Sequence, residues 1–477
     1  MIRRPVFFIF LLWSFGNLPG QSASIHAISP DYAGRSVHIT IAWNPFIPFP
    51  QYSTDVTCGD EGEFEGLIPL PSARVVQFET GMYQAYLYME AGFNYEVELP
   101  PYVEKEWDKR ISPFYQPVSV PLKVLSRTSL STGERIDGSY DVNHAIALFD
   151  SIFNRVNLEI ISNRREGQNS PTDSIIMQLE LHFSKDTSTF FSEYRHFRYG
   201  ILKLNEGKTN PDKISHDYLG PTVMEWHPGF VELFRALFKD FTFYFSRTPE
   251  GQGFKNLVNR NQDFRQARLL IQQDPAVWSD TLADMVLLQE LSVLFYQGEY
   301  HKEAILMMLD SIALDPVAPR FGVYAAQLKK KLSSLVTGHP PPSFTLKDLN
   351  GKSWSLEDFK GKYTYLFFGT TDHYGCMMEY PFLQSYVEKH SEYLNVVTVM
   401  ISEDETKLED FMDRNHYTWL VLHFNGLTGL LDDYMVRAYP TAYLIDRDGK
   451  LLLSPAILPS EGFEQQLFRI MRSRGEI

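Results

Sequence analysis

The chain has 477 residues, enough for about three domains of ordinary size. Hydrophobic residues make up 44% and aromatic residues 14%, a composition that excludes bulk disorder and argues for packed cores. The formal net charge of −15 gives a surface that repels phosphate backbones, so no nucleic-acid partner is expected.

Residues 1–24 have the physics of a signal peptide. Arg3 and Arg4 supply the positive start, and Val6 to Phe15 form a short apolar stretch. Ser22, Ala23 and Ser24 are the small residues that suit cleavage. The apolar stretch is too short to cross a bilayer comfortably, and no later one approaches spanning length. The expectation is an exported chain, in the periplasm or cell envelope, with no stable membrane span after signal cleavage.

Residues 25–124 read as a β-sandwich. Val37 to Ile41 and Tyr95 to Leu99 alternate apolar and polar, which puts one face of each strand in a core. Turn signals follow at short intervals, at Asn44-Pro45, Gly59-Asp60, Glu90-Ala91-Gly92 and Pro100-Pro101. Residues 125–336 read as helical. Apolar residues recur at helical spacing from His144 to Leu158, from Phe230 to Phe238, and from Ala283 to Leu314 with a break near Gly298-Glu299-Tyr300. His339-Pro340-Pro341-Pro342 is a stiff linker.

Residues 337–477 alternate strands with helices. Ser343 to Leu346 is a strand and Asn350-Gly351-Lys352 a hairpin turn. Ser355 to Phe359 opens a turn with the pattern of a capping box. Tyr363 to Phe368 and Val396 to Ile401 are apolar central strands. Helices are expected over Met377 to Leu394, Thr406 to Asn415 and Ser460 to Arg472. Thr418 to His423 is a further short strand. Thr441 to Ile445 and Leu451 to Leu453 form a hairpin around Asp446-Arg447-Asp448-Gly449.

This layout resembles the thioredoxin-like disulfide reductases of the TlpA and ResA kind and the related AhpC/TSA-type group. The resemblance is carried by Pro342-Ser343-Phe344-Thr345-Leu346, Phe359-Lys360-Gly361-Lys362, Glu379-Tyr380-Pro381-Phe382-Leu383 and Tyr439-Pro440-Thr441 followed by Tyr443-Leu444-Ile445-Asp446. Tyr86 to Val97 resembles the segment that closes the β-sandwich of exported thioredoxin-like proteins. The fold implied is a multidomain α+β chain: an N-terminal β-sandwich, a helical middle region and a C-terminal thioredoxin-fold α/β domain.

The chain departs from the family at the active site. Counting back from Pro381 and Glu379 puts the family's second cysteine on Cys376, its first on His373 and the preceding tryptophan on Asp372. The first cysteine is the family's nucleophile, activated by the N-terminus of a helix. Without it, no intramolecular disulfide can form and dithiol exchange has no cycle. A lone Cys376 with His373 as its base is the catalytic alternative. A peroxidase reading lacks the threonine or serine three residues before the cysteine.

His373 and Cys376 are only two ligands, and structural zinc takes four, so no metal and no cofactor is expected. The resemblance implies a cis proline at Pro440 and a peptide groove formed by Tyr374, Tyr439, Pro440 and Thr441, with Met377 and Met378 as an adaptable apolar surface. A protein or peptide partner follows from that groove. Three readings stay open. One is a redox-silent binding module, one a thiol-disulfide oxidoreductase or peroxiredoxin-like antioxidant using Cys376, and one an envelope scaffold. Cys58 and Cys376 are the only cysteines, and both fit isolated buried thiols.

Overall fold

The computed structural model describes residues 22–42, 50–70, 72–112, 115, 117–185, 188–402, 404–424 and 429–477. The charged and apolar parts of the expected signal peptide, and the Asn44-Pro45 turn, lie outside the described residues. The chain falls into two compact units. One takes the residues up to Val103 with Val118–Lys239, the other Glu104–Pro117 with Asp240–Ile477.

The first unit is built on two five-stranded sheets. One runs Arg135–Asp137, Lys123–Ser129, Phe93–Glu98, Ser22–Ile28, Glu63–Pro69. The other runs Pro50–Thr57, Ser36–Ala42, Arg74–Thr80, Tyr83–Met89, Val118–Pro121. Alternation puts Ile25, Phe64, Ile39, Phe78, Leu87 and Tyr95 in the core with no exposed surface. Cys58 lies in the same core. Tyr83–Met89 and Phe93–Glu98 do not pair across the Ala91-Gly92 turn, because each belongs to a different sheet. Ser22–Ser24, expected to leave with the signal peptide, form the start of a paired strand in which Ala23 is fully buried.

Helices Val142–Arg165, Thr172–His182, Thr189–Glu206 and Pro228–Leu237 complete this unit. His227 is fully buried among them, its ring 4.5 Å from Phe190, 5.1 Å from Phe197 and 5.6 Å from Trp226. Burial pushes its pKa down to about 4. An unfolded histidine titrates near 6.5, so below that pH the unfolded chain takes up a proton that the folded one refuses. Stability of this unit should therefore fall as pH drops from about 6.5 towards 4, by up to roughly 3 kcal/mol at the low end. Urea unfolding at pH 7 and pH 4.5 checks this, and in His227→Gln the difference between the two midpoints should shrink.

The second unit joins helices Phe264–Ile271, Asp280–Leu294, Lys302–Leu314 and Pro319–Ser333 to a seven-stranded sheet. The sheet order is Ser353–Ser355, Thr345–Asp348, Leu420–Phe424, Leu394–Ile401, Tyr363–Thr370, Thr441–Ile445, Leu451–Leu453. The three middle strands of that order from Leu420 to Thr370 are parallel, and the outer pairs are antiparallel. Every residue of Tyr363–Thr370 is buried, as a strand covered on both faces requires. One face packs under helices Tyr374–His390, Glu405–Asn415 and Phe463–Ser473 through Tyr380, Leu383, Leu408, Met412, Phe463 and Leu467. The other packs Phe344, Phe359, Leu366, Leu430 and Tyr434. Trp107, from the segment 104–117, packs onto that second cluster.

Three expected boundaries move. The helix expected to run from Met377 to Leu394 is Tyr374–His390, and Leu394 opens the next strand. Tyr393 C=O accepts the N–H of Tyr363 at 2.9 Å, which draws the backbone after His390 into the sheet. The closing helix starts at Phe463, because Gly462 takes the left-handed conformation with φ 95°. The linker is tied down at its start, where Gly338 N–H donates to Leu451 C=O at 2.7 Å and Leu451 N–H to His339 C=O at 2.9 Å.

Candidate functional site

The site forms where the central strand ends and the helix Tyr374–His390 begins. Thr370 closes the strand, and its hydroxyl accepts the backbone N–H of His373 at 3.2 Å. That bond sets His373 as the helix N-cap. Its carbonyl then accepts from Cys376 N–H at 2.9 Å and Met377 N–H at 3.1 Å. The exposed His373 imidazole makes no capping bond to the helix. It lies over Gly375 beside Pro440: a methyl at position 375 would stand 3.2 Å from both the His373 ring and Pro440 Cδ. His373, Gly375 and Pro440 are thus brought together. The Tyr439–Pro440 bond is cis. Thr441 lies on the strand neighbouring the central one, paired with Phe368, and its hydroxyl donates to Ala438 C=O at 2.6 Å.

Cys376 does not share that surface. Its side chain is 0% exposed and belongs to the core beneath the helix. A methyl at Gly369 would meet its Sγ at 3.3 Å. Burial pushes the thiol pKa up to about 11, outweighing the contacts with Thr370 and the Tyr380 hydroxyl that favour the thiolate. Asp372 and Glu379 push in the same direction as burial. This placement runs against Cys376 as an attacking thiol with His373 as its base: the sulfur is enclosed, and the imidazole is on the outside.

Tyr374 is 72% exposed, and Met377, Met378 and Phe382 are also exposed. Spacings of three, four and eight residues from Tyr374 put these four on one side of the helix. Tyr439 is half-buried between the two cores of the sheet, and its hydroxyl pKa is pushed up to about 12 by burial. Among the described residues, no group of three His, Cys, Asp or Glu could hold a metal ion. His390 bonds Glu464 and Tyr393, each at 2.6 Å, and His423 bonds Ser402 C=O at 2.8 Å, so both are engaged away from His373.

A model described as the AhpC/TSA family matches residues 337–453. The thioredoxin-like protein YneN of Bacillus subtilis is 31% identical over 132 residues, covering 27% of this chain and 76% of YneN. The chain belongs to the AhpC/TSA family of thioredoxin-like proteins. Thiol-disulfide oxidoreductase ResA of the same bacterium is 31% identical over 133 residues, 28% of this chain and 73% of ResA. The solution structure of a thiol:disulfide interchange protein from Bacteroides sp. is 26% identical, covers 28% of this chain and 89% of that one, and has a TM-score of 0.26. The C-terminal region of this chain is thus a TlpA/ResA-type thioredoxin-like domain, and relatives of the AhpC/TSA-family domain include thiol-disulfide oxidoreductases.

Two side chains of this AhpC/TSA-family domain were visible in sequence only as parts of a motif. Tyr380 is fully buried, and its hydroxyl donates to Thr370 C=O at 2.6 Å, fixing the end of the strand against the helix. Glu379 is buried, and its carboxylate accepts from Ser460 N–H at 2.8 Å and Ser460 Oγ–H at 2.5 Å. The Glu-Tyr-Pro order signals neither partner, because Ser460 lies 81 residues away. Glu379→Ala would leave the Ser460 N–H without its acceptor, and thermal or urea unfolding should register a loss of about 1–3 kcal/mol.

Proposed function

We propose that the C-terminal domain is a redox-silent, polypeptide-binding module of an exported, envelope-associated protein. The observation that carries this reading is the division at the helix start. The exposed position holds a histidine, and the remaining thiol is wholly enclosed. Dithiol exchange needs an accessible thiolate and a second sulfur within reach. The groove features have no such requirement: neither the cis Tyr439–Pro440 bond, nor Thr441, nor the exposed Tyr374 needs a thiol to meet a polypeptide. Export is supported by the character of residues 1–15. Among the described residues, no helix is long and apolar enough to cross a membrane. The role of Ala23 in the sheet core favours cleavage before Ser22 rather than after Ser24.

The second reading is a thiol-disulfide oxidoreductase or peroxiredoxin-like protein using Cys376, favoured by the similarity to the thiol-disulfide oxidoreductase ResA. Binding is the discriminating property. Reduced, carboxymethylated α-lactalbumin has neither a free thiol nor a disulfide, so a mixed disulfide with Cys376 cannot account for its binding. Fluorescence anisotropy should show that the full chain binds this polypeptide, and that Tyr374→Ser with Met378→Ser weakens binding about tenfold or more, as loss of two apolar anchors does. Absence of binding at high micromolar chain, or binding indifferent to both substitutions, would reject the groove.

A further inference from the structure

The sulfur that solvent can reach at the helix start belongs to thioethers and not to a thiol. Met377 is 42% exposed and Met378 51% exposed. They follow Tyr374 by three and four residues and share a side of helix Tyr374–His390 with Phe382. Both cysteines are enclosed, Cys58 at 3% exposure and Cys376 at 0%. Met400 and Met412 lie in the core beneath the same helix, at 0% and 5%. A dissolved oxidant therefore meets Met377 and Met378 before it meets either thiol or those two buried thioethers.

A cysteine must ionise before it attacks a peroxide, whereas a thioether reacts as it stands. With a hydroperoxide, the thioether sulfur takes up the terminal oxygen. The O–O bond breaks and an S–O bond forms. The sulfur gives up two electrons, and the peroxide leaves as water or an alcohol. The sulfoxide converts a flexible apolar side chain into a polar one. Here the change falls on two of the four side chains that make the exposed apolar face, Tyr374, Met377, Met378 and Phe382. A sulfoxide oxygen pressed against an apolar partner is buried without a hydrogen bond, and that costs affinity.

We propose that Met377 and Met378 are a site of modification by hydroperoxides, and that their conversion to sulfoxides releases the polypeptide held at the helix start. The inference rests on the polypeptide-binding reading given above and adds a means of control to it. The domain then responds to peroxide with neither cysteine taking part. The reaction that reverses the change is thiol-dependent sulfoxide reduction: two thiols supply two electrons and two protons, the oxygen leaves as water, and the thiols end as a disulfide.

The test treats the full chain with hydrogen peroxide, removes the peroxide with catalase and then measures binding to carboxymethylated α-lactalbumin. Peptide mass spectrometry locates the sulfoxides. Met377 and Met378 should each gain one oxygen in the folded chain, while Met400 and Met412 stay unmodified until it is unfolded. Affinity should fall by about tenfold or more as the two sulfoxides form. Methionine sulfoxide reductases for both epimers, with dithiothreitol, should restore it. Met177, Met307 and Met435 are exposed methionines outside this helix. A chain carrying Met177→Leu, Met307→Leu and Met435→Leu should lose binding on treatment as the parent does. If the untreated chain does not bind, the groove reading fails and takes the inference with it. If the untreated chain binds, the groove stands. The inference is then wrong if the doubly oxidised chain binds as tightly, if the reductases restore nothing, or if the triple variant is protected.

Discussion

The folded chain should return almost no thiol to Ellman's reagent at pH 7, and the same chain in guanidinium should return both cysteines. At a pKa of about 11, roughly one Cys376 thiol in ten thousand is ionised at that pH, against a few per cent for an ordinary cysteine. Ionisation alone slows attack by a few hundredfold, and the enclosed sulfur must also await a local opening. Cys58 adds no background, because it is 3% exposed and burial raises its pKa as well. A rate set by opening rather than by thiolate should level off as reagent concentration rises. Prompt modification of one thiol, mapped to Cys376 by mass spectrometry, would show that the sulfur is reached in the native state.

The second large effect is a gain. His373→Cys should create a dithiol with Cys376 at the helix start. The position is exposed, is the N-cap of a helix of 17 residues and precedes Cys376 by three residues. A thiol there meets the free N–H groups and dipole of the helix start, which lower its pKa towards about 7. The thiol of Cys376 is then at hand as the resolving group, in the way the family uses it. The new thiol should titrate well below an ordinary cysteine, form a disulfide with Cys376 on mild oxidation and reduce insulin where the parent chain does not. Asp372 stands where the family has tryptophan, and its negative charge should keep the new thiol less acidic than in family enzymes. Adding Asp372→Trp should lower the thiol pKa further. A variant that folds but forms no disulfide would mean that the helix start no longer holds the family geometry.

Much of the second unit could be read from its residues. The hairpin strands Thr441–Ile445 and Leu451–Leu453 fall where the turn residues Asp446-Arg447-Asp448-Gly449 put them. The capping box at Ser355 closes through Asp358. The reading of the site rests on sequence itself, since the assignment of position 373 comes from counting back from Pro381. What sequence could not supply were contacts between distant segments. Burial of Cys376 depends on Gly369, Phe367 and Tyr380 closing over it, and the helix boundary at His390 depends on Tyr363 recruiting Tyr393. The first unit was legible as strands but not as sheets. A Glu90-Ala91-Gly92 turn looks the same whether it joins partners or passes from one sheet to the other. Nothing in the spacing of Glu104–Pro117 marks it as a segment that leaves the sandwich and contributes Trp107 to the second unit.

Insulin reduction by the full chain with dithiothreitol as the electron source, run beside Cys376→Ser, addresses the redox-silent reading most directly. No turnover above the dithiothreitol background, and no difference between the two chains, is the expected result. Turnover by the parent chain that Cys376→Ser abolishes would contradict it and restore Cys376 as the working thiol.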